Sequence, residues 1–133
     1  MPTHYGVRLH RQYQGEWEHN LTWKPSQVFS ITAGWLRVIH TGHRRLLRGG
    51  AIILPILVRH SNRLVKRKNQ SKEYFCADDV LKVQDIEMLA PMLDTRVTVT
   101  AIAGGTHDLV LSRLPAREQV DEKISIWLTS TFG

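Results

Sequence analysis

Two segments rich in β-branched residues, separated by a helical pattern, constrain the fold of this chain more than any other feature. The run RVTVTAI (96–102) alternates strictly between the two faces and predicts a strand. The run AIILPILV (51–58) is continuously apolar, as expected for a strand covered on both faces, and Pro55 predicts that this strand begins near that residue. Parallel strands joined by helical crossovers accommodate such an order, so we expect an α/β fold.

Three other segments have the apolar spacing of helices. Residues 34–48 combine an apolar stripe with a basic face, residues 85–93 predict a shorter helix, and the longest helix opens at Pro115. Residues 60–75 are polar and basic and predict a solvated loop, and 80–83 is compatible with a short extended piece. The predicted fold is therefore a few-stranded, mainly parallel sheet with flanking helices, preceded by an irregular segment outside the core.

Composition excludes several classes of protein. The longest apolar run is eight residues, far below the roughly 20 needed to span a bilayer, and residues 1–10 carry charges where a secretory signal has its apolar core. The single cysteine, Cys76, excludes an intrachain disulfide and a thiolate zinc cluster. We therefore expect a cytoplasmic protein with no membrane span, and no motif predicts a cofactor.

His107 is distinguished from the other histidines by its position. It follows Gly104 and Gly105, directly after the clearest predicted strand. Open α/β sheets have their ligand-binding and catalytic residues at the carboxyl ends of the strands. A catalytic imidazole needs a carboxylate that fixes its tautomer, and Asp78 and Asp79 precede His107 by about one crossover helix and one strand. A glycine turn with an ordinary exposed histidine, and aspartates that cap a turn or a helix, are the alternatives.

Five short runs occur in an order that resembles a known family. They are WKP (23–25), AGWL (33–36), LPILV (54–58), ADDVL (77–81) and GGTHDL (104–109). Together they resemble the carboxyl-terminal part of bacterial α/β-hydrolases of the serine aminopeptidase, monoglyceride lipase and lysophospholipase type. The resemblance implies a partial α/β-hydrolase fold, in which residues 1–33 are a lid-like segment and residues 34–133 are the C-terminal portion of the hydrolase domain.

The resemblance also implies roles for individual residues. His107 matches the general base, and Asp78 matches the acid, with Asp79 as the alternate. The usual acid position, immediately after the penultimate strand, falls near Leu64 and carries no carboxylate. Asp85 therefore stays a third candidate for the acid.

The nucleophile of this family is missing from the sequence. The hydrolase triad runs in the order serine, acid, histidine, with the serine in a G-x-S-x-G elbow, and none of the seven serines lies in that motif. We therefore expect the C-terminal portion of a serine hydrolase for lipid or small acyl esters, inactive alone. A sheet cut where the family continues it exposes an unpaired edge, so we also expect a homo-oligomer.

Two readings from other classes stay open. A formal charge of +6 and the basic run from Arg63 to Lys68 are compatible with a nucleic-acid-binding module, although the tryptophans lie in other segments. A non-catalytic interaction protein is equally compatible with the missing nucleophile. Histidines at 40 and 43, with His60 or His4, have a spacing that metal sites use, but they lack a nearby carboxylate or thiolate and predict a solvated face rather than a metal site.

Overall fold

The structure is a computed structural model that describes residues 4–27, 30–49, 52–65 and 72–133. Its helices and strands are α1 (His4–Leu9), α2 (Ala33–Leu47), β1 (Ile56–Ser61), α3 (Val83–Leu89), β2 (Val97–Ile102) and α4 (Leu114–Phe132). Single 3₁₀ turns lie at Lys72–Phe75, Ala90–Met92 and Leu109–Leu111. The described chain is thus of mixed α/β character, and the predicted order of helices and strands from α2 to α4 is confirmed.

The two strands form a parallel sheet. Ile56 pairs with Val97, and the register continues to Ser61 opposite Ile102. β1 begins directly after Pro55, as predicted, because proline has no N–H to contribute to the ladder. Residues 52–54, the first part of the apolar run, are exposed and lie outside the ladder.

Helix α4 covers one end of β2 and forms the main apolar cluster. Ile102, Ala116 and Val120 are buried together, and Leu109 and Ile124 pack against them. Pro115 lies in the first turn of the helix, as predicted, where its missing N–H costs nothing. Burial of side chains such as Ile102 and Val120 stabilises the fold by about 1.5–3 kcal/mol each.

The segment after β1 is more ordered than the predicted loop over 60–75. His60 and Ser61 belong to β1 and are buried, so the loop starts later than expected. Val65, Tyr74 and Ala77 form a second apolar cluster. Residues 66–71, which include most of the basic run, lie outside the described part of the chain.

The amino-terminal segment contradicts the prediction of an irregular stretch outside the core. It begins with helix α1, in which Leu9 is buried to 2% exposure and Arg8 to 6%. After the helix the chain reverses, and Trp17 donates its N–H to the carbonyl of Leu9 at 3.1 Å. The mixed composition gave no period because a six-residue helix is too short to show one.

The region around residues 80–93 also differs from expectation. No ladder forms at 80–83, because the N–H groups of Val80 and Leu81 are bonded to the Asp78 side chain and α3 already begins at Val83. The helix predicted over 85–93 therefore begins two residues earlier and ends at Leu89. A 3₁₀ turn that contains Pro91 follows it.

Helix α2 forms as predicted, but the described part of the chain buries none of its residues. Thr32 caps it, since the hydroxyl oxygen of Thr32 accepts the N–H of Trp35 at 3.2 Å. The apolar stripe expected to pack on a core is exposed, with Trp35 at 53% and Val38 at 69%. Within the described ranges, the structure has no helix whose length and apolar character would let it cross a bilayer.

Candidate active site

The loop that follows β2 is shaped by its two glycines. Gly104 has a φ of +72°, which disfavours a side chain, and a Cβ on Gly105 would come within 2.6 Å of a Leu109 methyl carbon. Thr106 then donates its N–H to the hydroxyl oxygen of Ser112 at 2.9 Å, and the two hydroxyl oxygens lie 3.1 Å apart. The hydroxyl groups of Thr106 and Ser112 also donate to the carbonyl of Asp108, at 3.2 and 3.4 Å, so the backbone is held on both sides of His107.

The loop that carries Asp78 returns to the end of β1. Val65 donates its N–H to the carbonyl of Asp78 at 2.7 Å, and Asp78 donates its own N–H to the carbonyl of Arg63 at 2.9 Å. These two bonds form a parallel bridge between Leu64 and Asp78. Asp78 therefore lies beside Leu64, the position where the resemblance expects an acid and the sequence has none.

The two loops bring His107 and Asp78 into contact. The distance between His107 Nδ1 and Asp78 Oδ2 is 3.2 Å. The other carboxylate oxygen of Asp78 accepts the N–H groups of Val80 at 2.7 Å and Leu81 at 2.9 Å. The Asp78 side chain is 4% exposed and that of His107 is 32% exposed, so a buried carboxylate holds an imidazole that reaches solvent.

The electrostatics of the pair favour the charged carboxylate. Burial alone would raise the pKa of Asp78, but the hydrogen bonds from His107, Leu81 and Val80 outweigh it and lower the pKa below its ordinary 3.8. The same hydrogen bond from Asp78 raises the pKa of His107 above its ordinary 6.5 against the opposing effect of burial. An ionised Asp78 accepts the Nδ1–H of His107, so Nε2 is the basic nitrogen of the neutral ring.

The other two candidate acids have other partners. Asp79 accepts a hydrogen bond from the guanidinium of Arg8 at 2.7 Å, and both side chains are almost completely buried. Asp85 forms an exposed ion pair with Lys82 at 3.0 Å on helix α3. Of the three carboxylates named from the sequence, the structure brings Asp78 to the imidazole.

Sequence reasoning missed three side chains that touch these loops. Arg8 binds Asp79, and Lys24 Nζ lies 2.6 Å from the carboxylate of Asp108. Ser112 accepts the N–H of Thr106, the residue before His107. Arg8 and Lys24 come from a segment without periodicity, and their partners lie 71 and 84 residues away. Ser112 stands six residues from Thr106, within reach of an ordinary turn, and that spacing was the available signal.

The histidines considered as metal ligands differ in their exposure to solvent. His40 and His43 are exposed on helix α2, whereas His60 is 4% exposed in β1. Among the side chains that the structure describes, no three of His, Cys, Asp or Glu come together in a way that could hold a metal ion.

Comparison with protein-family models, with curated protein sequences and with solved structures found no match to this chain. The geometry of the two loops is therefore the basis for any functional assignment.

Replacing Ser112 with alanine is expected to destabilise the protein. Thr106 and Ser112 are both buried, at 3% and 1% exposure, so the variant leaves the N–H of Thr106 without its acceptor. We expect the free energy of unfolding to fall by about 1–3 kcal/mol in urea titrations. Ser125→Ala is the matched control, because its hydroxyl bonds the carbonyl of Asp121 on an exposed face of α4 and its loss should cost less than about 0.5 kcal/mol. Equal losses in the two variants would contradict the prediction.

Proposed function

We propose that this chain supplies the acid and the base of a serine hydrolase that cleaves carboxylic esters of lipids or small acyl compounds. The observation that carries the proposal is the 3.2 Å contact between His107 Nδ1 and Asp78 Oδ2. Each residue follows one of two neighbouring parallel strands, on loops that the preceding hydrogen bonds hold in place. In hydrolase triads, the base is a histidine that an ionised carboxylate holds through one ring nitrogen, while the other ring nitrogen takes the proton of the nucleophile.

The proposed chemistry moves one proton through His107. Nε2 takes the proton of a serine hydroxyl as the serine oxygen attacks the ester carbonyl, and the imidazolium that forms is stabilised by Asp78. The same proton then passes to the departing alkoxide, which leaves an acyl-serine and an alcohol. Water repeats the two steps on the acyl-serine and releases the carboxylic acid. Asp78 stays ionised throughout, in keeping with its lowered pKa.

The proposal requires a serine nucleophile that the 133 residues do not supply in the motif of the family. No serine here lies in a G-x-S-x-G elbow, and acyl transfer needs a nucleophile and oxyanion donors beside the base. The 133 residues alone are therefore expected to show negligible turnover of a short-chain aryl ester.

A fluorophosphonate probe, which bonds covalently to activated serines, tests the proposal on the complete product of the gene. We expect the probe to label that product, or a polypeptide that co-purifies with it, when the product is isolated through a carboxyl-terminal tag. Labelling should disappear in His107→Ala, because loss of the histidine from a working triad costs roughly 10⁶-fold in turnover.

His43→Ala is the matched control for this experiment. His43 is an exposed imidazole on helix α2, so its removal should leave labelling at the rate of the unchanged protein. A gene product that takes up no probe, or one whose labelling survives His107→Ala, would refute the assignment.

A further inference from the structure

Each residue of the His107–Asp78 pair has an aspartate next to it in sequence, and each of these aspartates is bound by a cation from the same distant segment. Asp79 binds Arg8 at 2.7 Å, and Asp108 binds Lys24 at 2.6 Å. Both cations belong to residues 4–27. One continuous segment therefore contacts the acid loop and the base loop.

The first of these contacts is a buried one. The side chains of Arg8 and Asp79 are 3% and 4% exposed. The guanidinium of Arg8 also donates to the backbone carbonyl of Tyr74 and lies 5.7 Å from the centre of the Tyr74 ring. Arg8 thus holds the acid loop at two points, on either side of Cys76 and Ala77.

The segment is also fastened to the start of helix α4. A carboxylate oxygen of Glu16 accepts the N–H of Leu114 at 3.2 Å and a guanidinium N–H of Arg117 at 2.9 Å. The same guanidinium lies 4.6 Å from the centre of the Trp17 ring, at the distance of a cation–π contact. Since α4 follows the base loop directly, these contacts give the segment a fixed position from which Lys24 reaches Asp108.

We propose that residues 4–27 act as a positioning clamp, in which Arg8 and Lys24 hold the two loops so that His107 and Asp78 stay within hydrogen-bonding distance. The catalytic meaning of the clamp rests on the proposed hydrolase function, but the positioning does not. Catalytic groups must be held within about 0.5 Å of the productive geometry by their supporting shell. Arg8 and Lys24 add to the bonds within each loop a connection between the two loops through one segment.

The clamp also controls the charge around the imidazole. Asp78, Asp79 and Asp108 all favour the protonated form of His107 and raise its pKa. Arg8 and Lys24 offset the charge of the second and third of these carboxylates. Loss of a cation therefore has two opposite effects on the pKa of His107: an uncompensated carboxylate raises it, and a weaker hydrogen bond to Asp78 lowers it.

Lys24→Met tests the proposal on the folded 133-residue chain, because the Lys24–Asp108 pair is partly exposed and its loss should not unfold the protein. We expect the NMR titration midpoint of the His107 ring to move to lower pH, because the hydrogen bond to Asp78 is the largest cause of its raised pKa. We also expect exchange of the Thr106 amide to accelerate by roughly 1.4- to 5-fold, the factor that corresponds to an ion pair of 0.2–1 kcal/mol. Lys24→Arg, which keeps the cation, should restore both values.

Lys82→Met is the matched control. It removes a lysine from the exposed ion pair with Asp85 at 3.0 Å on helix α3, and should change neither measurement. An unchanged or raised His107 midpoint in Lys24→Met, or an equal change in Lys82→Met, would overturn the clamp. The His107 midpoint and the Thr106 amide exchange are measured without enzymatic activity. The clamp and the hydrolase assignment can therefore fail separately, because fluorophosphonate labelling that disappears in His107→Ala supports the hydrolase whatever the result of the clamp experiment.

Discussion

Arg8→Met is expected to lower the free energy of unfolding by about 3–5 kcal/mol, because it leaves the carboxylate of Asp79 buried without its cation. Both side chains are less than 5% exposed and lie 2.7 Å apart. A domain of this size has a total stability of roughly 5–15 kcal/mol, so the loss is a large part of the whole. Urea titration followed by tryptophan fluorescence measures it.

A double variant separates the cost of an unpaired charge from the value of the pair. In Arg8→Met/Asp79→Leu neither charge remains, and replacement of a buried ion pair by apolar side chains is often neutral. We expect the double variant to regain most of the stability that the single variant loses. Lys82→Met, which breaks an exposed pair, should cost no more than about 1 kcal/mol. If Arg8→Met cost no more than Lys82→Met, the pair would not be buried in solution as described.

The parts of the fold that sequence predicts are those specified by local patterns. The alternation of 96–102 predicts β2, and Pro115 with the apolar spacing after it predicts α4, because both patterns are set by neighbours a few residues apart. The resemblance and the glycines before His107 pointed to the base loop for the same local reason. Residue type and spacing do not distinguish Asp78 from Asp79, which are adjacent and identical, and only the resemblance favoured Asp78.

The missed features depend on contacts between distant residues. Asp78 takes the place expected of an acid near Leu64 only because the chain leaves the end of β1 and returns to pair with it. The role of Arg8 depends on a partner 71 residues away. Burial of the short helix α1 likewise follows from tertiary packing, because a six-residue helix has no stability of its own.

Asp78→Asn is expected to change the tautomer of His107. The carboxylate oxygen that accepts the N–H groups of Val80 and Leu81 can be replaced by the asparagine carbonyl, which places the asparagine NH₂ against His107 Nδ1. Nδ1 must then accept a hydrogen bond, so the proton of the neutral ring moves to Nε2. In the proposed serine hydrolase, such a ring would not act as the base, and turnover should fall by roughly 10⁴-fold. In the 133-residue chain, imidazole nitrogen chemical shifts report the exchange of tautomers.

The same variant should also alter the pH dependence of stability. The raised pKa of His107 contributes stability that is complete below 6.5 and is lost as the pH rises through the raised value. The lowered pKa of Asp78 contributes stability that is complete above 3.8 and is lost as the pH falls through the lowered value. The stability difference between the unchanged protein and Asp78→Asn should therefore be largest between these limits, at about 1.5–3 kcal/mol for a charge-assisted bond, and smaller at pH 9.

Asp121→Asn provides the matched control, because it removes the same charge from an exposed position on α4. It should leave the His107 tautomer and the pH dependence of stability as they are in the unchanged protein. The loss of stability in Asp78→Asn should be larger at pH 5 than at pH 9, and that in Asp121→Asn should not. If the loss in Asp78→Asn did not depend on pH either, the carboxylate of Asp78 would not be bound to a charged imidazole. The acid and base of the proposed hydrolase would then lose their physical basis.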